Sequence, residues 1–231
     1  MNSARAIFIK QLRDTLKNRM VLLQFIVLPI MALAMTELVA KASDTIPDTM
    51  FVTMFAAMFV GMTPLVMANT IIAEDRERKS LRFLVMAGVK PYEYLLGIGG
   101  FVLLVCSLIS VVFGLIGGFS GLDFVKFIAV LVLGAAASAL LGSAIGILSR
   151  NQQAAAAVGT PVFMVLAFTP MIAQFNTSAA RFASVLYTQQ VNLLVNDFSL
   201  GAAKPFLIIL ANIAVLAALF ALVYNKKGLR G

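Results

Sequence analysis

Apolar residues run along this chain in six blocks, separated by short polar or charged segments. The blocks cover residues 20–40, 50–73, 94–118, 124–148, 154–174 and 205–224. A helix needs roughly 20 apolar residues to cross the ~30 Å hydrocarbon core of a bilayer, so each block predicts a membrane span. Ahead of the first block, residues 4–19 place Phe8, Ile9, Leu12 and Leu16 on one helical face. Lys10, Arg13, Asp14 and Lys17 fall opposite. That pattern predicts an amphipathic helix lying on the membrane surface. Residues 175–204 are more polar than the blocks but carry apolar runs at 182–186 and 191–195. Short helices dipping into the outer interface are expected there. The fold class predicted is an all-α integral membrane protein forming a single domain over 1–231. It has six transmembrane helices and an N-terminal interfacial helix at 1–19.

Composition agrees with that pattern. Of 231 residues, 61% are hydrophobic and only 12% charged, and the mean hydropathy is +0.98. Soluble proteins carry about 25% charged residues. The net charge of +8 could suggest a nucleic-acid partner, but its distribution argues otherwise. Fourteen of the 18 basic residues lie before the first block, between blocks two and three, between four and five, or after the sixth. Cytoplasmic loops concentrate Lys and Arg, so those segments read as inside and both termini as cytoplasmic. The expected location is the plasma (inner cell) membrane, with bilayer lipid as a partner and no nucleic acid. Tyr92, Tyr94, Tyr187 and Tyr224 fall near the expected interfaces, as in an aromatic belt.

Several chemistries are excluded. The chain has no histidine and one cysteine, Cys106, which removes histidine-dependent catalysis, histidine metal sites and an internal disulfide. No GxxxxGK[ST] loop is present, so ATP is not bound in the P-loop manner. Gly118-Phe119-Ser120-Gly121 lacks the spacing of a nucleophile turn and reads as an outer turn. No carboxylate or lysine lies mid-span, which disfavours an ion-coupled transporter. No catalytic residue, metal ligand or cofactor of the chain's own is expected.

Residues 74–88 form a dense charged segment between the second and third blocks. A helix is expected over 74–87, with Leu81, Leu84 and Val85 along one stripe and Gly88 as its stop. Glu74, Arg76 and Glu77 make an acid-base-acid cluster, followed by Leu81 and Leu84. A re-entry, Pro91-Tyr92-Glu93-Tyr94-Leu95-Leu96-Gly97, leads into the third block. At these residues, and in its whole layout, the chain resembles the permease subunits of type-2 ABC exporters. Lys79-Ser80 stands where that family has Gly-Thr. The resemblance implies that 74–88 is a cytoplasmic coupling helix seated on a separate ABC ATP-binding subunit. Glu74, Arg76, Glu77 and Arg78 would be its polar docking contacts, and Leu81 and Leu84 its apolar anchors. ATP and Mg²⁺ would be bound by the ATPase. A second permease copy, identical or related, would complete a dimer exporting substrate outward. The rival expectations are an ATP-independent transporter or channel, or a non-transporting membrane immunity or scaffold protein.

Two patterns bear on the spans. Met50, Met54, Met58 and Met62 recur every four residues, with Phe51, Phe55 and Phe59 on the adjacent row. Flexible, polarizable side chains suit varied apolar partners, making this a candidate path for an apolar or amphipathic peptide, drug or lipid-like molecule. Helix packing or lipid contact is the alternative. Gly134, Ser138, Gly142 and Gly146, also four apart, predict a close helix approach, within this subunit or against a second copy.

Overall fold

The computed structural model describes residues 3–17, 19–43, 45–86, 88–89, 91–198 and 203–224, with the backbone alone at 19–24, 81, 82, 85 and 91. The described residues form helices α1 (Ser3–Lys17), α2 (Arg19–Met35), α3 (Met50–Glu77), α4 (Ser80–Met86), α5 (Pro91–Ile116), α6 (Gly121–Leu148), α7 (Gln152–Phe175), α8 (Thr177–Ala183), α9 (Tyr187–Asn196) and α10 (Ala203–Val223). There are no strands among them. A π-helical turn, Thr36–Ala40, extends α2.

Five helices, α3, α5, α6, α7 and α10, are long and apolar enough to cross a membrane. The first expected span appears as the shorter α2 and its π-turn. At 28 residues, α3 is about 42 Å long at 1.5 Å per residue, well over the hydrocarbon core. Its acids begin only in its last turns, at Glu74. It is also the most buried of the long helices and packs against α2, α5, α6, α7 and α9.

The small-residue strip of α6 explains how α3 reaches the centre. A Cβ at Gly142 would fall onto the Leu65 carbonyl oxygen, and one at Gly146 would come within 2.9 Å of the Asn69 carbonyl oxygen. A Cβ at Gly134 would lie 2.6 Å from the Val60 side chain. All three approaches are to α3 of the same subunit. Opposite, Gly61 of α3 meets α7, where a Cβ would lie 2.8 Å from the Ala167 amide nitrogen. Backbones at such distances gain dispersion contacts unavailable to larger side chains.

The N-terminal helix does more than float on lipid. Its buried residues are Ile7 and Gln11, with Phe8 and Leu12 packed alongside, while Leu16 is exposed. The buried stripe is therefore rotated from the expected Phe8, Ile9, Leu12 and Leu16 face. It rests on α5, where a Cβ at Gly97 would lie 2.8 Å from Ile7 Cβ, and Phe8 meets Phe101 edge-on.

The segment 175–204 divides. Helix α8 is mostly exposed, but α9 is drawn into the bundle against α3, α6, α7 and α10. Thr188, Gln189, Gln190 and Asn192 are all buried. Thr53 Oγ1 of α3 donates to Asn196 Oδ1 at 2.9 Å. Tyr187 is likewise buried, bonded to Ser138 at 2.6 Å, and takes no part in an aromatic belt.

Candidate functional site

The expected helix over 74–87 is two helices. Helix α3 runs on to Glu77, Lys79 takes a left-handed φ of 59°, and α4 starts at Ser80. A non-glycine residue in that region is uncommon, and it turns the chain sharply. Helix α4 then ends as the glycine predicts. Gly88 has φ 78°, and the Val89 amide donates back to the Leu84 carbonyl at 3.0 Å, a Schellman-type closure.

The break divides the expected docking residues. Glu74, Arg76 and Glu77 belong to the last turn of α3, and Arg78 follows it. Glu74 pairs with Arg78 at 2.8 Å, four residues on. Glu77 Oε2 accepts the Gln152 amide at 3.1 Å, placing its charge at the first turn of α7. A carboxylate there is favoured by the helix dipole and by the free amides of the first turn. Arg76 is half-buried. Leu84 packs back against the core, and the Leu81 side chain lies outside the described residues. Among its described side chains, the apolar ones that α4 leaves exposed are Phe83, at 68%, and Met86, at 75%.

The residue that organises this end of the molecule is Asp75, which no motif singled out. Its side chain is 5% exposed. Lys10 Nζ of α1 donates to Oδ1 at 2.9 Å, and the Tyr94 hydroxyl of α5 donates to Oδ2 at 2.9 Å. A buried carboxylate is tolerated when both oxygens have donors, and here the donors come from two further helices. One side chain thus ties α1, α3 and α5 together one turn before the Lys79 break. Tyr94 is accordingly a core residue and not a belt residue. The signal that could have found it is the spacing of Asp75 and Tyr94, each one turn from the α3–α4–α5 turns.

Beside Asp75 lies a cleft of about 610 Å³ between α1, α2 and α3, with α4 and the start of α7 at its edge. Its walls carry Lys10, Asp14, Glu74 and Arg78 toward the chain's charged end and Phe25, Val66 and Ile71 farther in. The methionine in its wall is Met67, not one of the predicted stripe. In that stripe Phe51 and Phe59 are buried, and Phe59 packs on Phe113 with centroids 5.7 Å apart. The phenylalanine row is a packing row in this subunit. Phe55, Met50, Met54, Met58 and Met62 stay half-buried along α3. Among the described residues no cluster of Cys, Asp or Glu could hold a metal ion.

Residues 10–225 match the family described as ABC-2 family transporter protein. The chain belongs to that family. The match begins at Lys10, the α1 partner of Asp75, and spans all the long helices. No curated protein matches the chain. As an ABC-2 family member it is a multi-pass membrane transporter component and not itself a catalytic domain.

Proposed function

We propose that this ABC-2 family protein is the membrane-spanning permease subunit of an ATP-driven exporter. It crosses the cell membrane six times, with α2 and its π-turn as the first span and both termini in the cytoplasm. A separate ATP-binding subunit docks on α4 and binds ATP and Mg²⁺. Two permease copies, identical or related, surround the path of an apolar or amphipathic substrate. The half-exposed methionine row of α3 is its candidate lining.

The observation that carries this reading is the pair Phe83 and Met86. Seven-residue α4 leaves two large apolar side chains exposed at the most charged end of the molecule. Isolated apolar anchors amid charge are what a partner groove takes up. Behind them, the Lys79 turn and the Asp75 ties connect α4 to α1, α3 and α5, so force applied to α4 reaches three helices. Of the original docking set, Arg78 and Arg76 remain as polar contacts at the rim. Glu74 and Glu77 act through their internal partners.

The test is co-purification of a nucleotide-binding subunit from the native membrane in mild detergent. Phe83→Asp with Met86→Asp is expected to release the ATPase while leaving the permease monodisperse and folded. An ATPase that stays bound to that variant, or transport in vesicles without any ATPase, would overturn the reading.

A further inference from the structure

The walls of the cleft beside α1 change character along α3. From Arg78 through Glu74 they are charged, and from Ile71 to Val66 they become apolar apart from Thr70. Twelve residues of helix cover about 18 Å, the scale of a phospholipid head and the upper part of its chains. Phe25 of α2 continues the apolar wall. The volume of about 610 Å³ lies in the ordinary range of sites for small molecules.

The charges on the rim are selective about what could enter. Lys10 is held by Asp75 and Arg78 by Glu74, so each of those pairs is neutral as it stands. Asp14 and Lys17 remain, one turn apart on the face of α1 that lines the cleft, and neither pairs with another described residue. Side chains three residues apart on a helix are neighbours, yet these two form no ion pair with each other. Among the described residues of the rim, one free cation beside one free anion, above a largely apolar wall, complements a zwitterion with a hydrocarbon tail.

We infer that this cleft binds a zwitterionic aminophospholipid. Its phosphate sits at Lys17, its ammonium at Asp14, and one acyl chain lies along Phe25, Val66 and Ile71. A primary ammonium donates hydrogen bonds to Asp14 that a trimethylammonium cannot, and charge-assisted bonds of this kind are the strong ones. The bound lipid fills the space under α1 and braces the helix that carries Lys10, so it stands next to the Asp75 tie. The inference rests on the proposed position of α1 at the membrane surface.

The chain contains no tryptophan, so a single introduced one reports alone. Phe25→Trp places an indole in the apolar wall. Thr70→Trp, at an exposed position on the same cleft, does so without disturbing a buried site. The full chain is reconstituted in phosphatidylcholine vesicles doped with chain-brominated phosphatidylethanolamine, phosphatidylcholine or phosphatidylglycerol. Half-maximal quenching is expected at an about tenfold lower mole fraction of the ethanolamine lipid, the size of one charge-assisted contact. Asp14→Asn should abolish that preference, whereas Lys17→Gln should weaken quenching by all three lipids, which share the phosphate. Val215→Trp, on the exposed side of α10, should be quenched equally by all three lipids. Equal quenching by all three at both cleft positions overturns the site, as does a preference that survives Asp14→Asn. Phosphatidylglycerol matching phosphatidylethanolamine would overturn the role of Asp14. Full protection by water-soluble glycerophosphoethanolamine would overturn the lipid as occupant. An unquenched Val215→Trp would overturn the membrane placement itself, separately from the cleft.

Discussion

The Ser138 hydroxyl of α6 donates to the Val60 carbonyl of α3, the carbonyl that Pro64 leaves without its intrahelical donor. Tyr187 of α9 in turn donates to Ser138 Oγ at 2.6 Å. A proline in the central helix is thus accommodated by a hydroxyl from its neighbour, as membrane helices require when a backbone group loses its partner. The Tyr187–Ser138 bond also ties α9 to the bundle.

Removing that hydroxyl leaves two buried groups without partners. Ser138→Ala is expected to cost about 1–3 kcal/mol, which corresponds to a fall in Tm of roughly 2–12 °C. Pro64→Ala restores an amide at position 64 to serve Val60, so the double variant should lose less than the sum of the singles. Thermal unfolding of the four proteins in detergent checks this. Strict additivity would mean that Ser138 does not substitute for the missing amide.

The glycines of α6 should respond in a graded order. At Gly142 an added methyl meets the backbone of Leu65, which cannot swing away, so Gly142→Ala should displace α3 and lower stability by about 3 kcal/mol or more. At Gly134 the obstacles are the side chains of Val60 and Val191, which can turn, and the loss should be smaller. Gly99 of α5 has open space around it, so Gly99→Ala is expected to be neutral or to gain up to about 1 kcal/mol from helix propensity. Monodispersity on gel filtration and Tm together rank the three.

Much of this was legible in the sequence because it depends on one residue and its near neighbours. Five of the six apolar blocks mark the long helices, the four-residue spacing marks a close approach on α6, and Gly88 marks the end of α4. What the pattern lacked was the other side of each contact. Spacing says that α6 has a flat face, not that α3 occupies it. Thr188, Gln189, Gln190 and Asn192 read as outer polar residues, and only the bonds of Tyr187 and Asn196 to other helices explain their burial. Asp75 looked like one more acid in a charged loop. It differs from Glu74 only in facing Lys10 and Tyr94, which are distant in sequence. Leu84 and Phe83 exchanged roles because the break at Lys79 sets the phase of α4 independently of α3.

Asp75 supplies a third prediction. Tyr94→Phe leaves Oδ2 buried without a donor, and Lys10→Met leaves the carboxylate without its cation; each is expected to cost about 1–3 kcal/mol. Once Asp75 is replaced by Asn, removing either partner should matter less, giving coupling energies of about 0.5–3 kcal/mol in double-mutant cycles. Proteolysis near the α1–α2 corner offers a second measurement. Lys10→Met should speed cleavage there, because α1 loses its tie to α3, whereas Gly99→Ala should not.

The last prediction concerns Lys79, whose φ of 59° is the point at which α3 turns into α4. A side chain in the left-handed region costs roughly 1–2 kcal/mol, which glycine avoids. The type-2 exporter pattern has glycine at this position, and here a lysine bears the strain. Lys79→Gly is therefore expected to stabilise the turn by up to about 1 kcal/mol, offset in part by the greater freedom of glycine in the unfolded chain. Lys79→Val, β-branched and poorly suited to positive φ, should instead melt the turn and unseat α4. The two variants separate geometry from charge, since both lose the ammonium and only one keeps the bend. Under the proposed coupling role, Lys79→Gly retains the ATP-binding subunit in co-purification and Lys79→Val releases it. If both release it, the lysine charge matters and not the turn. If both retain it, α4 does not need its present angle to dock.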